Sequence, residues 1–191
     1  MRYLFLCIFL FLGELSVSAQ HMFSRQFPFF NQLSSNEIFS IHQDREGYFW
    51  LGTTNGLARY DGYQLNTFRT DYKNQNLLTD NAVASINDNS LYVWIGTWKG
   101  LNLYDKQTCR ITPFSDPRLL NKAVDAITVD NAENVWISAG GKVYRCDSTA
   151  HVIKEYELGQ PQEGYAISNI YMDQSKQLWA VGSRGIFRYE P

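Results

Sequence analysis

The chain has 191 residues, 17 Lys and Arg against 19 Asp and Glu, and a formal net charge of −2. No basic block breaks that balance, which excludes nucleic acid as a partner on electrostatic grounds. Three cysteines are too few for a disulfide-rich scaffold, while 45% hydrophobic and 15% aromatic residues suffice for a packed core.

Residues 1–19 read as a secretory signal peptide. Arg2 supplies the positive n-region, Tyr3 to Leu12 the apolar h-region, and Val17-Ser18-Ala19 the small residues before a cut after Ala19. The segment is too short to span a bilayer, and no later apolar run is long enough. A periplasmic location is expected, with residues 20–191 as a soluble unit. Cys109 and Cys146 remain in that unit. They could pair in an oxidising compartment, but the simpler expectation is two small apolar fillers.

Beyond the leader the chain repeats. Trp50, Trp94, Trp136 and Trp179 recur at spacings of 44, 42 and 43, the differences between successive positions. The first unit reads "EIFSIHQDREGYFWLGTTNGLARYD", and "AVASINDNSLYVWIGTWKGLNLYD" follows it. The third and fourth are "AVDAITVDNAENVWISAGGKVYRCD" and "AISNIYMDQSKQLWAVGSRGIFRYE". Asp61, Asp105, Asp147 and Glu190 stand eleven residues after each Trp, and Asp44, Asp88, Asp130 and Asp173 six before it. In the second unit Val83 and Ile86 align best with a turn one residue shorter, which puts Asn89 at the turn and makes the match of Asp88 partly accidental.

Four short strands are predicted in each unit. The first carries Ile38 and Ile41, Val83 and Ile86, Val124 and Ile127, or Ile167 and Ile170. The second surrounds the Trp and is apolar on both faces, as a strand packed on both sides must be. The third begins at Gly56, Gly100 or Gly185 after a tight turn. The fourth is "QLNTFRT", "CRITPF" or "HVIKEYEL". A period of this length with four strands and one phased Trp predicts an all-β fold, a β-propeller of four-stranded blades. The repeats cover about 36–70, 81–115, 123–158 and 166–191, a partial or small propeller, with 22–27 as a candidate closing strand for the last blade.

The pattern Val-x-x-Ile-x-x-Asp-x-x-Gly-x-x-Trp-Ile-Gly-Thr-x-x-Gly-Leu-x-x-Tyr-Asp resembles the two-component regulator propeller repeat. Here it is carried by Ile38, Ile41, Asp44, Gly47, Trp50, Leu51, Gly52, Thr53, Gly56, Leu57, Tyr60 and Asp61, and again by Trp94-Ile95-Gly96-Thr97 with Gly100-Leu101 and Tyr104-Asp105. The lead-ins "NQLSSNEI" and "NLLTDNAV" fit it too. The third unit departs at Ser138 and Cys146, the fourth at Ala180-Val181. The resemblance implies the N-terminal, ligand-sensing part of a hybrid two-component sensor that responds to glycans. It also implies further propeller blades or a dimer partner, and a membrane connection only through downstream regions.

The repeated Asp residues are expected to be structural, since a short carboxylate bonds turn N–H groups. The phosphate-cradle reading of "GTTNG" fails because the loop leads into a strand rather than a helix N-terminus. Ligand-binding candidates lie in the loops between second and third strands and between blades: Trp98 as an aromatic platform for a sugar, Lys99 beside it, Arg184 in the same loop of the fourth unit, and Tyr72 in the longest loop. Each also has an ordinary surface explanation, packing against a neighbouring loop or plain solvation. His21, His42 and His151 do not recur in phase. No catalytic residue, metal site or cofactor is expected, and an oligosaccharide is the expected ligand. The alternatives are a propeller enzyme of glycosidase or lyase type and a non-functional truncated remnant.

Overall fold

The computed structural model describes residues 26–70, 77–157 and 166–189. The predicted signal peptide, Tyr72 and Glu190 lie outside them, as do residues 22–25 of the candidate closing strand. Gln26 and Phe27 are not in a strand.

The fold is all-β, and its four sheets are the blades of a β-propeller. The first blade is β1 (Ile38–Gln43), β2 (Phe49–Thr53), β3 (Gly56–Tyr60) and β4 (Leu65–Phe68). The second is β5 (Val83–Asp88), β6 (Tyr92–Thr97), β7 (Gly100–Asp105) and β8 (Arg110–Pro113). The third is β9 (Val124–Val129), β10 (Val135–Ala139), β11 (Lys142–Cys146) and β12 (Val152–Glu157). The fourth shows β13 (Ile167–Met172), β14 (Leu178–Gly182) and β15 (Gly185–Arg188). Every blade is an antiparallel meander in sequence order. Each repeat predicted from the sequence is thus one blade.

The blades stack face to face, with β1 against β5, β5 against β9 and β9 against β13 on the axis side. Strand alternation gives each blade two faces. One carries the Trp and the third-strand apolar residue two before the Arg or Leu, as in Trp50 and Leu57. It packs on the first-, second- and third-strand residues of the following blade, such as Val83, Ile86, Val93, Ile95 and Tyr104. Trp94 and Leu101 meet Val124, Ile127, Val135, Ile137 and Tyr144 in the same way. Trp136 and Val143 meet Ile167, Ile170, Leu178 and Ala180. The core is therefore three inter-blade layers rather than one central mass.

Gly52 and Gly96 sit at the closest approach of these layers. A Cβ on Gly96 would lie 2.6 Å from Val124 Cγ1, and one on Gly52 would lie 2.6 Å from the Val83 carbonyl oxygen. Glycine is required there for the backbone to come so near. Ser138 holds the same place in the third blade, where its hydroxyl donates to the Ile167 carbonyl at 3.1 Å. The fourth blade has Val181 there, half out in solvent. The faces of the first and fourth blades that look away from the stack carry exposed Ile41 and Ile186. Phe27 and Phe29 cover part of the first, packing on Tyr60 at 5.0 and 5.3 Å between ring centroids.

Cys146 is the buried filler the sequence suggests, but Cys109 is exposed, and both are free thiols. Cys109 occupies a left-handed turn position, φ 56°, which takes its side chain out of the core.

Candidate functional site

Most polar residues of the repeat hold turns. Asp44 Oδ1 accepts the N–H groups of Glu46 and Tyr48, each at 3.0 Å, and Oδ2 accepts the indole N–H of Trp50 at 2.6 Å. Asp130 and Asp173 bond Trp136 and Trp179 in the same way, at 3.2 and 2.8 Å. Asp61 Oδ1 accepts from the backbone of Tyr63 and Gln64, and Asp105 and Asp147 make equivalent turns. Hydrogen bonds from Gln64 and Tyr63 lower the carboxyl of Asp61 below its usual range, so it is ionised and unsuited to act as a general acid.

The second blade breaks the pattern as its shorter turn predicts. Asn89 holds the turn, its Oδ1 accepting from Leu91 and Tyr92 at 3.0 and 2.8 Å. Trp94 Nε1 is buried and finds no hydrogen-bond partner among the described residues. Asp88 instead reaches the first blade. Its carboxylate meets His42 Nε2 at 2.7 Å and Lys106 Nζ at 2.6 Å, and takes the Arg45 N–H at 3.3 Å. Burial pushes this carboxyl up, but the bonds from His42 and Lys106 outweigh it and hold it at about 2.

A second set of residues escaped the sequence reading. Arg59 lies over the rings of Tyr48, Trp50 and Tyr104, and donates to the Tyr104 hydroxyl at 2.5 Å. Arg145 lies over Trp136 and Arg188 over Trp179. The signal was in plain view, an Arg two residues before the turn acid in "GLARYD", "KVYRCD" and "GIFRYE". Each Arg packs on the Trp of its own blade by cation–π contact, and Arg59 also reaches Tyr104 of the next blade.

The candidate site lies at the other end of the blades, where second strands turn into third. Trp98, in the β6–β7 turn, is 56% exposed and stacks on Phe39 of the first blade, ring centroids 5.8 Å apart and planes 26° from parallel. Lys99 Nζ is 3.2 Å from Asp80 Oδ2, which leaves the ammonium largely in solvent. Arg184 is exposed in the corresponding turn two blades further round, so it is not gathered with Trp98 and Lys99.

Phe39 is the residue that sequence reasoning missed, and its position has a structural cause. Every axis-side strand has a register irregularity near its start: between Ile38 and Ser40, Val83 and Ser85, Val124 and Ala126, and Ile167 and Asn169. The skipped residues are Phe39, Ala84, Asp125 and Ser168. A bulge frees one side chain from the alternation that buries its neighbours. The four bulge residues differ chemically while the framework around them repeats. Neighbouring side chains partly desolvate the carboxyl of Asp125 and raise it above the usual range, while the residue itself is exposed. What results is an exposed aromatic pair, a cation–carboxylate pair and a variable ring of bulge residues on one end of the stack.

Comparison with known proteins accords with this geometry. The family described as two component regulator propeller matches residues 32–55, the segment from the lead-in through β1 and β2 into the following turn. Residues 32–55 thus carry the two-component regulator propeller repeat. Among solved structures it is similar to the extracellular domain of the hybrid two component system BT4673 from B. thetaiotaomicron, with TM-score 0.66 and 22% identity over 83% of this chain. The extracellular domain of the hybrid two component system BT3049 from the same organism gives TM-score 0.54 and 19% identity over 83% of the chain. A virginiamycin B lyase from Staphylococcus aureus gives TM-score 0.60 and 17% identity over 81%. At these identities the likeness is one of propeller fold. The chain spans 22% of the first of these structures, 29% of the second and 56% of the third. No curated protein matches the chain in sequence.

Proposed function

We propose that the chain is a non-catalytic, exported sensor segment that binds an oligosaccharide on the exposed Trp98–Phe39 pair. The observation that carries the reading is that stack: two aromatic rings from different blades, nearly parallel and open to solvent, on the end of the blades where the repeat varies. Aromatic faces suit the C–H face of a sugar ring, and the ion pair of Lys99, next to Trp98 in the turn, with Asp80 supplies a donor and an acceptor. Because the two rings belong to neighbouring blades, a bound sugar would bridge the joint between them, the joint also held by His42 and Asp88. The sensor role rests on the regulator-propeller repeat and on the likeness to extracellular domains of hybrid two component systems. The periplasmic location rests on residues 1–19.

The reading predicts saturable heat on titration with an oligosaccharide panel. Trp98→Ala should weaken that binding about tenfold, the magnitude of one stacked aromatic contact. Unchanged affinity of Trp98→Ala would remove Trp98 from the site.

A further inference from the structure

The third and fourth blades enclose a cleft of about 410 Å3 at the opposite end of the stack from Trp98, between the β9–β10 and β13–β14 turns. Its walls are Trp136 and Arg145 on one side and Met172, Leu178 and Tyr189 on the other. We propose that this cleft is a second binding site, independent of the sugar platform, for a compact planar aromatic carboxylate.

A single residue difference opens it. In the first blade Tyr48, two residues before the Trp, lies 4.8 Å from the Arg59 guanidinium and packs into the first joint. In the second blade Tyr92 takes that place beside Trp94, and Leu103 replaces the Arg. In the third blade the residue is Asn134, whose side-chain amide is turned away to Asp130 at 3.0 and 3.1 Å. Arg145 is kept on Trp136, but the aromatic ring that would cover it is missing. The volume a Tyr fills elsewhere is open here.

The lining chemistry selects the occupant. Arg145 brings its guanidinium charge to the lining, so a ligand gains by bringing a carboxylate. The carboxylate of Asp130 does not fill that need. Its oxygens already accept from Ala132, Asn134 and Trp136. Lys176 at the mouth adds a second positive charge. Trp136, Met172 and Leu178 present an apolar wall suited to a flat ring. The size fits a molecule of a dozen or so heavy atoms.

Indole-3-acetate is the probe, with 3-methylindole as its neutral counterpart, each titrated calorimetrically into the purified chain. Saturable binding with a dissociation constant of about millimolar order is expected for so small a ligand. The neutral compound should bind at least about tenfold more weakly, and Arg145→Gln should weaken the carboxylate about tenfold. Asn134→Tyr refills the cleft as Tyr48 does, and should abolish binding without lowering the thermal midpoint. No saturable binding, equal binding of 3-methylindole, or binding that survives Asn134→Tyr overturns the proposal. If Asn134→Tyr does not fold, Arg145→Gln decides, and unchanged affinity there overturns it equally.

Discussion

His42 of the first blade and Asp88 of the second meet across the blade joint at 2.7 Å, over a carboxylate that is 5% exposed and also held by Lys106. The contact ties strands 46 residues apart in sequence and replaces the Asp–Trp bond that the other blades make. The second blade has thus exchanged an internal turn bond for a bond between blades, and Trp94 is left without a partner among the described residues.

The exchange has a pH signature. The folded carboxyl of Asp88 sits at about 2 against an ordinary 3.8. Its contribution to stability is therefore fully present above about pH 4 and is lost as pH falls through 3.8 toward 2. The shift corresponds to about 2 kcal/mol. Denaturant titrations between pH 6 and pH 2 should show this loss, and Asp88→Asn should remove that part of the slope. At neutral pH the same variant should cost about 3 kcal/mol or more, because Lys106 is left buried without its counter-charge.

The Asp–Trp bond should matter in proportion to its burial. Trp50 is fully buried, so Asp44→Ala strands its indole N–H and two backbone donors, at a cost of about 2–3 kcal/mol. Asp173→Ala removes the equivalent bond at a half-buried Trp179, where water can take over, and should cost about 1 kcal/mol or less. Chemical denaturation of the two variants in parallel checks the order.

Gly96 tests the blade spacing. In Gly96→Val the new side chain meets Val124 across the joint, where even a Cβ would sit 2.6 Å from Cγ1. The second and third blades must then separate, at an expected cost of about 3 kcal/mol, near the upper end for overpacking. Val181→Gly, at the same position on the outward face of the fourth blade, should change stability by about 1 kcal/mol or less, since nothing described packs there as closely. A comparable loss in both variants would mean that the two faces are not distinguished by the approach of a following blade.

Much of this was legible in the sequence. The phase of the four Trp residues yields blade number and strand order, because each unit must bury the same ring against the next. Asn89 as the turn residue of the second unit could be read from the position of Val83 and Ile86. The candidate site was only half legible. Trp98 stands out of phase and is noticed for that reason. Phe39 sits inside the Ile38–Ile41 pattern and looks like an ordinary strand residue. Only a bulge, which depends on how β1 pairs with β2, brings it out beside Trp98. Asp88 falls six residues before Trp94 by count, but the shorter turn, visible from Val83 and Ile86, frees it from the turn, and only the packing of the blades shows that it meets His42. Arg184 shares a turn type with Trp98, and blade order alone separates them.

The central claim is that Phe39 and Trp98 together form the face on which a sugar lies. Saturation-transfer NMR tests it most directly, with the aromatic resonances of the protein irradiated in the presence of an oligosaccharide that binds. Transfer should concentrate on the C–H protons of one face of one sugar ring, and should fall strongly in both Trp98→Ala and Phe39→Ala while the fold is retained. Undiminished transfer in Phe39→Ala, or transfer that spreads evenly over the sugar, would contradict the account.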